Sequence, residues 1–215
     1  MNLLRLPDEK LARLRTRVAE EIGRRTKASV NGHDAAAIIY GNEAAKRALI
    51  VAAAGKHSLL CVGPPNCGKT MLRAVAVELG LDDTFEVQPC PCGYCSDPTA
   101  ECRCTARQIE RQVSRFPVTD ITVEVVRPHE RDRKHPGTTL GDMRKQIDDA
   151  TAYEDTTLDD DGGRLLCTAT TEHGLDEATR SRVVQVARTI ANLDRCERIG
   201  LSHLCEAINY RRFRR

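Results

Sequence analysis

The run "GPPNCGKTML", Gly63 to Leu72, decides how the rest of the chain is read. Gly63, Gly68, Lys69 and Thr70 complete the pattern G-x-x-x-x-G-K-[ST]. Its flanks agree with it. "HSLLCV", His57 to Val62, is a short apolar run suited to a buried parallel strand, and a helical pattern follows from Gly68 to about Leu79. Glycines let backbone N–H groups turn inward around phosphate oxygens, and the following helix N-terminus adds a favourable dipole. Lys69 is placed to reach the β- and γ-phosphates and Thr70 to offer its hydroxyl to Mg²⁺. Pro64, Pro65, Asn66, Cys67 and Met71 complete the loop's expected contacts with a nucleotide, Cys67 mainly through its backbone N–H.

Hydrolysis asks for more than binding. A hydrolysing phosphate-loop protein also needs an acidic residue at the end of a second apolar strand, to hold Mg²⁺ and polarise water. After Thr70 the acids are Glu78, Asp82, Asp83 and Glu86. Asp82 and Asp83 follow "VELGL", which continues a helix and breaks at Gly80, so both read as a solvated turn. The expectation is a loop that grips triphosphate without the carboxylate that would cut it.

Around this loop the chain has room for a real core. It has 215 residues, 40% apolar and only 3% aromatic with no Trp, so the interior must be built from Leu, Val, Ile and Ala. Charged residues reach 30%, yet the net charge is only +2, and no global field of one sign demands a nucleic acid or membrane partner. No apolar run approaches the roughly eighteen residues that a membrane span needs, and the N-terminus lacks a signal-peptide pattern. A cytoplasmic location is therefore expected, with no membrane partner.

Leu11, Leu14, Val18 and Ile22 share one helical face, which predicts an amphipathic helix from Asp8 to about Lys27. A second helix is predicted from Asn42 to Ala54, with Asn42 as N-cap and Gly55 as its stop. "TFEVQ" and "DITVEVV" are further strand candidates. Beyond them, "TLGDMRKQIDDATAY", "LDEATRSRVVQVARTIANL" and "SHLCEAINYRRF" read as helices, the last capped by Ser202. Asp159 to Asp161 before Gly162 and Gly163 read as a loop or helix start. This order is an α/β core with a helical appendage.

Ten cysteines are present, and five crowd into Cys90, Cys92, Cys95, Cys102 and Cys104. Two close pairs brought face to face supply the four thiolates of a tetrahedral zinc site. Cys90, Cys92, Cys102 and Cys104 are the favoured ligands and Cys95 the spare. A redox pair and a loop of reduced thiols are the alternatives. Core packing is the expected role of Cys61, Cys167, Cys196 and Cys205.

Three stretches carry a family resemblance: "YGNEAAKRALIVAAAGKHSLLCVGPPNCGKTML", "PCPCGYCSDPTAECRCTARQIERQVSRF" and "VVQVARTIANLDRCERIGLSHLCEAINYR". They resemble the Mg-chelatase-like AAA+ ATPases, in the competence-associated branch linked to DNA branch migration. The resemblance implies that Tyr40 and Gly41 lie near the nucleotide base and that the last stretch forms a helical lid. It also implies what has gone. Relatives carry several dozen further residues before PCPCGY, including the strand with the Walker B acid. The family's sensor Asn is replaced by Gln88, the segment of the arginine finger is shortened to "FPVTD", and Ala178 stands at the usual sensor Arg. Arg180 and Arg182 lie close enough in sequence to substitute in part, and Arg182 joins the expected nucleotide set.

AAA+ sheets resemble one another in strand order 5-1-4-3-2. Losing strands 2 and 3 removes one edge and leaves about three parallel strands with the P-loop strand in the middle. The expected fold is thus a reduced P-loop AAA+ core over residues 35–128, preceded by an N-terminal segment 1–34 and followed by a helical lid over 129–215. The new sheet edge calls for cover from the N-terminal helix or another chain. Function follows as binding of ATP or ADP with Mg²⁺ through Thr70, with weak or absent hydrolysis. The rival is a zinc-stabilised module that binds DNA or a protein partner, for which "RPHERDRKH" and "YRRFRR" supply local positive charge. A third reading is assembly with itself or with a full-length relative, whose neighbouring subunit could lend an arginine finger but not a Walker B acid.

Overall fold

A computed structural model describes residues 39–95, 97–130, 132 and 137–211. The N-terminal helix expected from Asp8 lies outside the described residues, as do most of the basic run 131–136 and the tail 212–215. The described residues form seven helices and three strands: α1 (Glu43–Gly55), β1 (Leu59–Val62), α2 (Lys69–Glu78), β2 (Thr84–Val87), α3 (Ala106–Val113), β3 (Ile121–Glu124), α4 (Leu140–Asp148), α5 (Asp160–His173), α6 (Glu177–Leu193) and α7 (Leu201–Asn209).

The sheet has the order β2-β1-β3, and both pairings are parallel. The P-loop strand is therefore central, as a sheet stripped of its far edge requires. All four residues of β1 are buried, which is why its sequence is uniformly apolar rather than alternating. Leu59 and Cys61 of β1, with Ile121 and Val123 of β3, join the main hydrophobic core. On the other face Leu60 and Thr122 line a cleft with Phe116, Leu175 and Asp176.

Helix α1 organises the core. It touches β1, β3, α2, α4 and α6. Its Ala45, Ala48 and Ala52 are buried, and such small side chains let neighbouring elements approach closely, while Leu49 and Val51 fill the spaces between them. Lys46 is fully buried on the same helix, and its ammonium meets Glu43 Oε1 at 2.8 Å. One continuous core runs from Ile39 to Tyr210, so the helices after residue 139 pack on the same interior as the sheet. Arg188 of α6 is buried and donates to the carbonyls of Asp155, Cys196 and Glu197, tying the loop before α5 to the turn after α6.

Several local expectations change. Asn42 stands at the N-cap of α1 as expected, but at φ 53° and without a side-chain cap: its side chain instead bonds both the N–H and the C=O of Val126. Gly55 is the last helical residue and Lys56 takes the left-handed position after it. Gly200, not Ser202, precedes α7, and its N–H donates to His203 Nδ1. Helix α3 stands where no helix was expected, begun by a capping box between Thr105 and Gln108. Asp159 caps α5 through the N–H of Gly162, resolving the acidic run as a helix start. Of the cysteines assigned to the core only Cys61 is buried, while Cys167, Cys196 and Cys205 are exposed. On α5 and α7 the buried positions include Leu166, Ala169, Leu204 and Ala207, so Cys167 and Cys205 fall one residue off the inward face. Among the described residues no helix is long and apolar enough to cross a membrane.

Truncating Leu49, which has no exposed surface, is expected to cost about 2–5 kcal/mol. Urea unfolding of Leu49→Ala followed by far-ultraviolet circular dichroism, since the chain has no Trp, measures the loss.

Candidate functional site

The P-loop leaves β1 at Val62 and enters α2 at Lys69. Val125 donates to Val62 O at 2.7 Å, and a Cβ on Gly63 would stand 2.2 Å from Val125 O. Only glycine passes that gap. Asn66 and Gly68 adopt positive φ of 59° and 103°, giving the turn that aims the loop's amides at the start of α2. The first turn of α2 contains no acidic residue, so the positive end of its dipole is uncompensated by the helix itself. Lys69 Nζ donates to Gly63 O at 2.9 Å and to Pro64 O at 2.6 Å, with Cys67 Sγ 3.7 Å away. Thr70 and Met71 are exposed on the opening turn, whereas Cys67 is buried in the loop.

Tyr40 and Gly41 lie at the same end of the sheet. Asn42, the next residue, is pinned to Val126, which follows the Val125 that meets Gly63. Tyr40 is 38% exposed there. Arg182 is placed elsewhere: its guanidinium pairs with Asp120 at 3.7 Å. Asp120 accepts from the N–H and hydroxyl of Ser58, just before β1, at the opposite end of the strand from the P-loop. The structure thus gathers Tyr40, Gly41 and Gly63 to Met71, but not Arg182. Arg180 is held to Glu177 on its own helix.

One acid does face the loop, from within a strand rather than from the strand end where a metal-holding acid was sought. Glu86 on β2 is the register partner of Cys61, and Thr70 Oγ1 donates to its Oε2 at 3.0 Å. Its Oε1 lies 4.0 Å from Arg73 Nη1. Burial first, and then the Glu86 charge, push the Cys61 thiol up to about 12. Glu86 was counted among the acids after Thr70 but given no role, because it lies inside a strand rather than after one. The usable signal was a carboxylate in "TFEVQ", a strand that the expected order already sets beside the P-loop strand.

Next to the P-loop stands the cysteine cluster. Cys90, Cys92, Cys102 and Cys104 place their sulfurs within 4.8 Å of one another. The Cys90–Cys92, Cys92–Cys102 and Cys90–Cys102 distances are 3.3, 3.6 and 3.7 Å. Zn–S bonds of about 2.3 Å in a tetrahedron set sulfurs about 3.8 Å apart, so this donor set fits zinc closely. Cys95 lies outside the group of four, although its N–H donates to Cys90 Sγ at 3.3 Å. The Tyr94 backbone N–H, more than any other contact, draws the Cys92 thiol down to about 6, within reach of the thiolate form a metal needs. Gly93, at φ 82°, lets the loop press against the P-loop: a Cβ there would be 2.8 Å from Pro65 Cδ. On its far side Asp97 pairs with Arg127 at 2.8 Å.

Residues 35–83 match the family described as magnesium chelatase, subunit ChlI, and residues 105–211 the family described as magnesium chelatase, subunit ChlI C-terminal. The chain belongs to the magnesium-chelatase-like family. The competence protein ComM of Haemophilus influenzae is 65% identical over 34 residues, which are 16% of this chain and 7% of that protein. The chain thus spans a small part of the length of the curated relative it matches. In this magnesium-chelatase-like chain, β2 and the cysteine cluster fall between the two matched segments.

The hydrogen bond from the Thr99 hydroxyl, then those from Arg127 and the Thr99 N–H, hold the Asp97 carboxyl down at about 2, against an ordinary 3.8. A depressed folded-state pKa gives stability that is complete above the ordinary value and is lost as pH falls toward 2. Asp97→Asn is expected to lower the urea midpoint at pH 7, and the gap from the unaltered protein to narrow at pH 3.

Proposed function

We propose that this magnesium-chelatase-like chain is a nucleotide-binding protein that holds ATP or ADP through Gly63 to Met71 and turns it over slowly or not at all. The observation that carries the reading is the P-loop itself, with Lys69 and Thr70 at the start of α2 and no acid in that helix's first turn. Lys69 would exchange its two carbonyl partners for β- and γ-phosphate oxygens, and the loop amides would take the rest of the charge. Tyr40 and Gly41 supply the wall toward the base. Magnesium would add charge neutralisation between the phosphates, with Thr70 among its ligands. The loss of the usual Walker B strand, of the sensor Asn at Gln88 and of a nearby sensor Arg accounts for weak turnover.

Zinc is the metal best matched to the four sulfurs, and its role is structural: it would brace the loop that packs on Pro65. A second reading makes the chain a zinc-stabilised DNA-binding module. It draws on α3, a helix with no buried residue, and on its exposed Arg107 and Arg111, flanked by the exposed Arg103 before the helix and Arg115 after it. Assembly with copies of itself or with a longer relative, and a cytoplasmic site of action, complete the proposal.

Calorimetric titration with ATP, with metal analysis of the same sample, tests the reading. Binding of ATP with negligible phosphate release supports it, and Lys69→Ala should abolish the binding. Robust turnover that vanishes in Lys69→Ala would sink it. Binding of DNA but not ATP, weakening steeply with salt, would favour the second reading. For the metal, one zinc per chain is expected, kept by Cys95→Ser and lost by Cys102→Ser.

A further inference from the structure

We infer that Glu86 supplies the carboxylate on the magnesium side of the nucleotide site, a role the chain's lost acidic strand leaves without an owner. The inference rests on the nucleotide-binding reading above and assigns one residue within it.

Three observations place Glu86 there. Parallel pairing sets it beside Cys61, two residues before the loop begins, on the strand that borders β1 directly. Thr70 Oγ1 gives its proton to Glu86 Oε2 at 3.0 Å, which leaves the hydroxyl lone pairs free for a cation. The other carboxylate oxygen turns toward Arg73 at 4.0 Å, and the side chain is 19% exposed, so it is held in place yet open to water.

The donor set suits the ion. A hydroxyl and a carboxylate are hard oxygen ligands, and Mg²⁺ is held in nucleotide sites by one or two carboxylates, phosphates and retained waters. In P-loop proteins the loop Ser/Thr and an acid on a neighbouring strand share the metal. Here that acid comes from the strand next to β1 rather than from one further out. An ion pair of Glu86 with Arg73 and a hydrogen bond to Thr70 would look the same without any metal function, and magnesium dependence separates the two. Of the two tasks of the missing acid, holding the metal and polarising the attacking water, Glu86 is assigned only the first. Glu86, occupied by Thr70 and Arg73, is therefore compatible with slow turnover.

The test is calorimetric titration of ATP into the full chain, in Mg²⁺ and in EDTA. The unaltered protein is expected to bind more tightly with Mg²⁺. Glu86→Gln should bind ATP in EDTA at least as well as the unaltered protein, but lose about 10–100-fold of the magnesium-dependent gain. Thr70→Ala should behave alike, and the double variant should lose little more than the worse single one, because both residues serve one ion. Retention of the full magnesium gain by Glu86→Gln overturns the inference. So does equal ATP affinity in the two buffers for the unaltered protein, which leaves nucleotide binding intact. Binding in neither buffer overturns the nucleotide reading and this inference together. Should Glu86→Gln fail to fold, Mn²⁺–ATP bound to unaltered protein carrying ¹³C-carboxylate glutamate replaces it. Hyperfine coupling of that carbon to the metal is expected, and its absence overturns the inference.

Discussion

The direct pairing of β2 with β1 is the constraint on which the rest depends. It makes the P-loop strand central in a sheet of only three strands, and all four of its residues are buried. A central strand has both rows of backbone groups satisfied, so the loop at its end starts from a fixed position. The same pairing brings the cysteine loop, which continues from β2, against Pro65 through Gly93. It also brings the carboxylate of Glu86 to the hydroxyl of Thr70. Phosphate cradle, candidate metal cluster and acid are thus three consequences of one ladder of hydrogen bonds.

Helix α1 makes so small a sheet stable. A three-stranded sheet cannot bury both faces by itself, and this helix meets two of its strands together with α2, α4 and α6. Alanine at the contact positions shortens the approach, and Leu49 and Val51 occupy what remains. The helices after β3 add to the same interior, and the buried Arg188 fastens their connecting turns through backbone carbonyls. The machinery is reduced, but its core is continuous.

Much of this was legible in the residues. The P-loop pattern placed its helix to within a residue and its strand to within two, because glycine requirements and an apolar run coincide there. The three-strand order followed from the family resemblance and the missing block. The four clustered thiols followed from spacing, since close pairs can meet with little loop entropy. What was not legible depended on contacts between distant segments. Asn42 reads as a helix cap until Val126, 84 positions away, claims its side chain. Arg182 reads as a sensor until Asp120 holds it at the other end of the strand. Cys167 and Cys205 read as core because a one-residue rotation of a helix cannot be told from composition. Glu86 was not assigned to the site because its hydrogen bond from Thr70, 16 positions away, is a tertiary contact. Helix α3, by contrast, carried its signal openly in Thr105 and Gln108.

The position of β2 at the rim of the sheet has a consequence for how firmly a cation is held. A rim strand is hydrogen-bonded along one side alone, and such segments open more readily than interior ones. Phe85, next to Glu86, is 42% exposed and adds little anchorage. The carboxylate thus rides on a rim strand, while Lys69 opens the helix that follows the central one. In the proposed site, warming or mild denaturant would loosen a hold on the ion before a hold on the phosphates, uncoupling two grips that a deeper sheet would keep in step.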